Sequence, residues 1–398
     1  MDFLPISVRP SARLVLLLAA ATALAALPLV STAPNRLLSG QGVSLAQVLR
    51  ASAPGWSLLT FGLALMAGVL LALLARWPDR RSVQSLLLVV LGAGFLVLLA
   101  LAGQHATASD LQSGGLGRTT LTSGFWLGTL LLWMSANEAL RRLRASPAVV
   151  GLFWSLLLLA VCGLLGSGAL DALSTVKEYG NRAEDFWSAL RQHLHIILLT
   201  TALTLSVGLP LGVALHRRPR WASRVFPLLN LVQTVPSIAL FGLLMALLST
   251  LGRHVPLLPA LGIQGVGLAP AVLALTFYSL LPLVRSTYEG LAHLPRAYAE
   301  AGTAMGLSRR QLLWQVELPL ALPVLLSGLK VMLVQTIGLT AVAALIGAGG
   351  LGSLMFEGLF SSALDLVVLA VIPIVALAWL AEALFIVLHT GARRWARG

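Results

Sequence analysis

Long apolar runs separated by short polar intervals dominate the chain. A helix that crosses the hydrocarbon core of a bilayer needs about 20 predominantly apolar residues. Runs of that kind lie near 14–30, 57–75, 84–102, 124–139, 148–170, 193–215, 223–247, 269–288, 323–345 and 366–390. They predict an all-α polytopic membrane protein with about ten transmembrane helices. The fourth run is the weakest, because Ser135, Asn137 and Glu138 crowd its end. A long polar interval at 171–192 divides the chain near residue 175. Residues 1–175 hold five runs joined by short basic turns and longer Gly/Ser/Thr-rich loops such as 113–123. Residues 176–398 hold five more, with prolines within or beside them, paired glycines, and one large polar island at 289–322. No clear internal repeat links the halves, which weakens an inverted-repeat secondary transporter.

Composition agrees with the pattern. Of 398 residues, 58% are hydrophobic and 10% charged, with a mean hydropathy of +0.91. Soluble domains carry about 25% charged residues. A net charge of +13 raises the question of a nucleic-acid partner, but its placement decides otherwise. With the N-terminus in the cytoplasm, the arginines at 9–13, 76–81, 141–144, 217–224, 285–310 and 393–397 all fall on the cytoplasmic side. The opposite side holds Arg36, Arg50, Arg118, Lys177, Arg182, Arg191 and Arg253. This asymmetry is the positive-inside rule, and it puts both termini in the cytoplasm. It reports topology, with no nucleic acid implied. The first run also has the form of a signal peptide, with Arg9 and Arg13 ahead of it and Val30, Ser31, Thr32 and Ala33 resembling a cleavage site. The other runs keep their orientation in either case. Cys162 is the single cysteine, lies inside a run, and is read as a small packing residue.

The polar island predicts a helix–turn–helix. Pro295 suits a first helical turn, where its missing N–H costs nothing, and 296–305 are good helix formers. Gly306 can take the positive φ that ends a helix. Ser308 and Gln311 form an S-x-x-Q capping box for a second helix, with Leu312, Leu313 and Val316 on one face and Pro319 expected to end it. An amphipathic hairpin on the basic side of a membrane is shaped to enter a groove on another protein. The alternative is a hairpin lying on lipid headgroups through Arg296, Arg309 and Arg310.

The order of residues within the island resembles the EAA loop of permease subunits of binding-protein-dependent ABC importers. Glu300, Ala301, Gly306, Leu307, Leu318 and Pro319 fall in place, and Gly302 stands where that loop usually has Ala. The resemblance covers about residues 190–390. Residues 233–242 (Gln-Thr-Val-Pro-Ser-Ile-Ala-Leu-Phe-Gly) and 346–352 (Ile-Gly-Ala-Gly-Gly-Leu-Gly) are similar to the osmoprotectant branch, which imports glycine betaine, carnitine, choline and related compounds. The extra N-terminal spans resemble a longer betaine-permease subtype, and residues 1–170 carry no motif that assigns them a role.

The resemblance implies a type I ABC importer permease core in the C-terminal half of a multi-pass protein of the bacterial inner membrane. It implies a cytoplasmic ATPase dimer engaging the loop through Glu300, Ala301, Gly302, Gly306, Leu307, Leu318 and Pro319. It also implies a periplasmic or lipid-anchored solute-binding protein, a second permease (the same chain or a shorter sister), and surrounding membrane lipid. The chain has no G-x-x-x-x-G-K-[ST] phosphate loop. No cofactor is therefore expected on this chain, with ATP and Mg on the partner ATPase. The glycines Gly347, Gly349, Gly350 and Gly352 are expected to bend the external loop 347–365 back toward the pore and to help form an outer gate.

Polar groups at mid-membrane usually face a cavity or another helix. Gln233, Thr234, Pro236 and Ser237, then Tyr278, then Gln335 and Thr336 are the candidates for the translocation path. Tyr278 and Phe277 lie away from the interfaces, and an aromatic face attracts a quaternary ammonium by about 0.5–2 kcal/mol. Helix packing with small and polar groups as glue is the plainer reading of each residue. Lys330 and Glu382 fall at the same depth on consecutive spans and are candidates to pair. His193 and His195, on either side of Leu194, are expected at a membrane edge, and the seven histidines show no metal-ligand spacing. No catalytic or metal site is predicted. Other cargoes within the importer class are amino acids, methionine or sulfonates. An ion-coupled secondary transporter would need a mid-depth charge relay, and an intramembrane enzyme would need clustered His, Glu or Ser–His partners.

Overall fold

A computed structural model describes residues 10–35, 38–52, 54–77, 79–260 and 262–395. Arg9, Arg36 and Arg397, which enter the charge pattern, lie outside the described residues. The chain forms two compact units, Met1–Asn181 and Arg182–Gly398.

The first unit begins with α1 (Pro10–Ala26), which runs into β1 (Pro28–Ala33), β2 (Gln41–Ser44) and α2 (Leu45–Ala51). Ser44 and Gln47 cap α2 reciprocally. Three apolar helices follow: α3 (Pro54–Arg76), α4 (Arg81–Gln112) and, after β3 (Arg118–Leu121), α5 (Ser123–Arg142). The three strands pair antiparallel in the order β2-β1-β3, with Ser31 opposite both Gly42 and Thr120. Hydropathy alone did not reveal this small sheet: β1 takes over the tail of the first apolar run, through the Val30–Ala33 segment that resembles a cleavage site. Gly124 lies so close to β1 that a Cβ there would meet the Pro28 carbonyl oxygen at 2.6 Å. Beneath the sheet, Leu29, Val30, Val48, Leu101, Ala102 and Phe125 form a core. The unit ends with α6 (Pro147–Gly166), which buries none of its residues, and α7 (Ser174–Asn181). A helix this apolar that packs only one side, through Phe153, Trp154 and Val161, leaves the rest of its surface to lipid.

The second unit comprises α8 (Ala183–Arg217), α9 (Pro219–Thr234), α10 (Ser237–His254), α11 (Leu257–Ala260), α12 (Leu268–Ala292), α13 (Arg296–Ala304), α14 (Arg309–Leu312), α15 (Leu318–Val342), α16 (Leu351–Phe360) and α17 (Leu364–Trp395). At its centre is α12, where Ala271, Ala274, Leu275, Leu283 and Val284 are fully or almost fully buried. Small residues let its neighbours approach. A Cβ on Gly208 of α8 would meet Leu283 at 2.8 Å, one on Gly212 would meet Thr287 at 2.5 Å, and one on Gly328 of α15 would meet Ser286 at 1.9 Å. Lipid offers no hydrophobic drive between helices, so this close backbone packing is what holds spans together.

Most of each predicted run falls on helix, although the first ends in β1. Among the described residues, α4, α6, α8, α10, α12, the continuous stretch Arg309–Ile346, and Leu364–Ala392 are long and apolar enough to cross a membrane. Two predictions need correction. The seventh run is not one helix but two, α9 and α10, interrupted at Val235 and Pro236. Pro319 does not end the second hairpin helix either. A π-helical turn at Leu313–Glu317, in which the Leu318 N–H bonds back to the Leu313 carbonyl, carries α14 into α15. Pro319 then occupies the first turn of α15, where it has no N–H to lose.

Candidate functional site

The hairpin 293–319 is closed by local chemistry. Pro295 caps α13 from just outside it. At the other end Gly306 takes φ +81°, its N–H bonding to the Thr303 carbonyl and that of Leu307 to Gly302, both at 3.0 Å. This left-handed turn is a Schellman motif. Ser308 then caps α14 through Gln311 in both directions. Gly302 is buried, and a Cβ there would meet Leu312 at 2.6 Å. The departure from the Glu-Ala-Ala pattern thus sits where α13 and α14 touch. Leu313 and Leu318 anchor the hairpin against Leu291, Ala321 and Leu325, and Arg217 donates to the Arg309 carbonyl at 3.3 Å. The rest points outward: Glu300, Ala301 and Gly306 are exposed and Leu307 and Pro319 half-buried. Tyr298, Met305 and Trp314 are exposed apolar side chains, the last two at 74% and 65%.

At mid-depth the structure brings Gln233 and Tyr278 together. Pro282 has no N–H, so the Tyr278 carbonyl in α12 loses its helical partner. The Gln233 side-chain amide donates to that carbonyl at 2.9 Å. On the other strand of the contact, Val235 leaves the helical path before Pro236, and the Tyr278 hydroxyl donates to its carbonyl. Each residue therefore satisfies a backbone oxygen that a proline or its break has orphaned. In hydrocarbon an unsatisfied carbonyl costs several kcal/mol. Tyr278 is buried, so its ring is a strut between α12 and the α9–α10 break rather than an open wall. Thr336 is also buried, its hydroxyl 2.9 Å from Ser279 and bonded to the Met332 carbonyl at 2.8 Å. Thr234 and Pro236 are exposed, and Gln233, Ser237 and Gln335 are half-buried.

The sequence reading missed Thr200 and Thr204, buried on the face of α8 that also carries Gly208 and Gly212. The hydrophobic period of α8 was the available signal, since both threonines fall on its apolar face. Lys330 and Glu382 do meet, at 2.8 Å between α15 and α17.

The outer turn is built differently. A 3₁₀ turn at Ala343–Ile346 ends at Gly347, φ +79°, followed by Gly349 and Gly350 at +77° and +81°. Only glycine adopts three such positions without strain. The Gly267 N–H bonds to Ile346 at 3.0 Å, and the Gln192 amide donates to the Ala348 carbonyl at 3.2 Å. His193 lies fully buried beneath the turn, with Gly350 so near that a Cβ there would meet its ring at 3.2 Å. His195 is exposed, whereas His193, expected at a membrane edge, is covered because the glycine turn folds over that face of α8. The loop after the turn is helical, as α16, pinned at Gly352 against the Ala341 carbonyl. Arg182 pairs with Glu357 of α16 at 2.6 Å.

Residues 205–397, which hold the hairpin, the break and the turn, match the family described as binding-protein-dependent transport system inner membrane component. Residues 8–176 match the N-terminal domain of the ABC transporter permease YehY. The osmoprotectant import permease protein OsmW of Salmonella typhimurium is 40% identical over 201 residues, covering 50% of this chain and 88% of that protein. This chain belongs to the binding-protein-dependent ABC permease family. The glycine betaine/carnitine/choline permease OpuCD of Bacillus subtilis is 37% identical over 187 residues, 45% of this chain and 75% of that protein. An inward-facing structure of the MetNI methionine ABC transporter is similar over 52% of this chain and 95% of that one, at 22% identity and a TM-score of 0.46. The permease is an integral, multi-pass protein of the inner membrane and a transport component.

Proposed function

We propose that this permease is the transmembrane subunit through which an ABC importer moves compatible solutes, such as glycine betaine and related quaternary ammonium or zwitterionic osmoprotectants, by ATP-driven alternating access. The hydrolysis of ATP, with its Mg, belongs to a separate cytoplasmic ATPase dimer. That dimer engages the hairpin through Glu300, Ala301, Gly302, Gly306 and Leu307, while Leu318 and Pro319 seat it. A solute-binding protein docks on the opposite side, over Gly347, Gly349, Gly350 and Gly352. A second permease, this chain again or a shorter sister, completes the pathway. The path runs past Gln233, Thr234, Pro236, Ser237 and Gln335, with Tyr278 and Thr336 holding the helices that line it.

The observation that carries this reading is the rigidly capped hairpin with Tyr298, Met305 and Trp314 left exposed. A closed, apolar-faced hairpin awaits a partner's groove. The cargo class is supported by the relatives, whose names specify osmoprotectants, glycine betaine, carnitine and choline. The test is uptake of glycine betaine into vesicles holding the permease, with ATP inside and purified ATPase and solute-binding protein present. Uptake that needs all of these supports the reading. Uptake without the ATPase, or none of any methylated ammonium compound in the complete system, overturns it.

A further inference from the structure

The N-terminal unit contains a polar cavity that the transport reading does not use. It lies where the end of α4, the 115–117 turn, β3 and α7 converge, on the face that the charge pattern assigns to the outside. The cavity measures roughly 870 Å³, within the 300–1,000 Å³ range of small-ligand sites. Two ion pairs between segments far apart in sequence stiffen its wall. Arg118 meets Glu178 at 2.6 Å, with the Glu178 side chain 1% exposed, and Lys177 meets Asp110 at 2.5 Å. A carboxylate buried as deeply as that of Glu178 is costly unless paired, so this part of the wall is a built arrangement rather than a solvated surface.

The donor and acceptor inventory specifies an occupant. The Lys177 ammonium has three N–H donors; one goes to Asp110 and one to the Gly117 carbonyl at 3.2 Å, leaving a third for an acceptor in the cavity. Asp171 lines the same cavity; it is exposed, and its carboxylate has no partner among the described residues. Tyr179 adds an aromatic ring to the same wall, and a ring face attracts an alkylated cation. Among the described residues of the cavity, the carboxylates of Asp110, Asp171 and, behind the wall, Glu178 outnumber the cations of Arg118 and Lys177. The surplus negative charge is that of Asp171.

We propose that this cavity binds a small zwitterion, its cationic group at Asp171 and Tyr179 and its carboxylate at Lys177. The choice of glycine betaine as probe rests on the cargo class proposed above; the geometry of the site does not.

The test is calorimetric titration of glycine betaine into the full chain in lipid nanodiscs, without ATPase or solute-binding protein and at fixed ionic strength. Saturable binding is expected, with Asp171→Asn and Tyr179→Ala each weakening it at least tenfold. Choline, which lacks the carboxylate, should bind at least tenfold more weakly than glycine betaine. Melting curves of the variants without ligand separate lost binding from lost fold, and Asp171→Asn, at an exposed carboxylate, is expected to match the parent. No saturable binding, or binding unchanged by Asp171→Asn, overturns the proposal. Equal affinity for choline overturns the two-point arrangement. Vesicle uptake, measured separately, reports on the transport reading: absent uptake with intact Asp171-dependent binding would sink that reading and leave this site standing.

Discussion

The hairpin 293–319 and the glycine turn 347–352 are two sharply bent segments of the C-terminal unit, and they solve the same backbone problem in opposite ways. Both use left-handed glycines, Gly306 in one and Gly347, Gly349 and Gly350 in the other. The hairpin satisfies its ends internally, through the Schellman turn and the Ser308–Gln311 box, and leaves large side chains in the open. The turn hands its polar groups to neighbours, Gln192 and Gly267, and covers His193 completely. A segment that closes on itself can present a surface to another protein and move as a body. A segment stitched to its surroundings moves only if they do. The contrast fits the roles proposed above, the first segment meeting a partner and the second closing over the outer side.

The sharpest way to break this contrast is Gly306→Pro, which cannot adopt φ +81°. Uptake should fall to background while the amount of permease in the membrane, measured by immunoblot, stays at the parent level. Full uptake would remove the hairpin's role. In the turn, Gly352→Val should act on the fold itself, because a Cβ there would lie 1.9 Å from the Ala341 carbonyl oxygen. A loss of about 3 kcal/mol or more is expected, read as a lower melting temperature and reduced membrane content. Next, Trp314→Ala should weaken binding of the ATPase by about 2 kcal/mol, roughly thirty-fold, and change the stability of the isolated permease by less than about 0.5 kcal/mol. Loss of stability without loss of ATPase binding would make Trp314 a packing residue. Between the two regions, Tyr278→Phe leaves the Val235 carbonyl unsatisfied and should cost about 1–2 kcal/mol, with thermal melting as the readout. The smallest effect is expected from Gln192→Ala, about 1 kcal/mol for a hydrogen bond that water at the rim can replace.

The hairpin was legible in the sequence because its determinants are local. Gly306, Ser308 and Gln311 state a cap, a turn and a second cap within a few residues. The apolar runs were legible because lipid imposes a length and a composition, and seven of the described helices are long and apolar enough to span. What escaped depends on partners distant in the chain. Tyr278 reads as a path residue until Pro282 and Val235 are seen to leave two carbonyls wanting a donor, one filled by Gln233 and the other by Tyr278 itself. The strand at 28–33 escaped because its alternation is hidden at the end of an apolar run and its partners lie across a turn on one side and at 118–121 on the other. Helix α16 escaped because its glycines read as loop, whereas Gly352 and Gly358 serve close packing against Ala341 and Val367. The pairing of Lys330 with Glu382 was legible from depth alone.

The interruption at Val235 and Pro236 has a mechanical consequence. An unbroken rod tilted at one tip swings its other tip the opposite way, so the cytoplasmic and periplasmic mouths would be geared together rigidly. With a joint at the level of Tyr278, α9 and α10 are two levers on a common pivot, and a push arriving from below can turn the lower one while the upper one stays put. In the transport cycle proposed above, such a pivot would permit an occluded state, with cargo enclosed and neither mouth open.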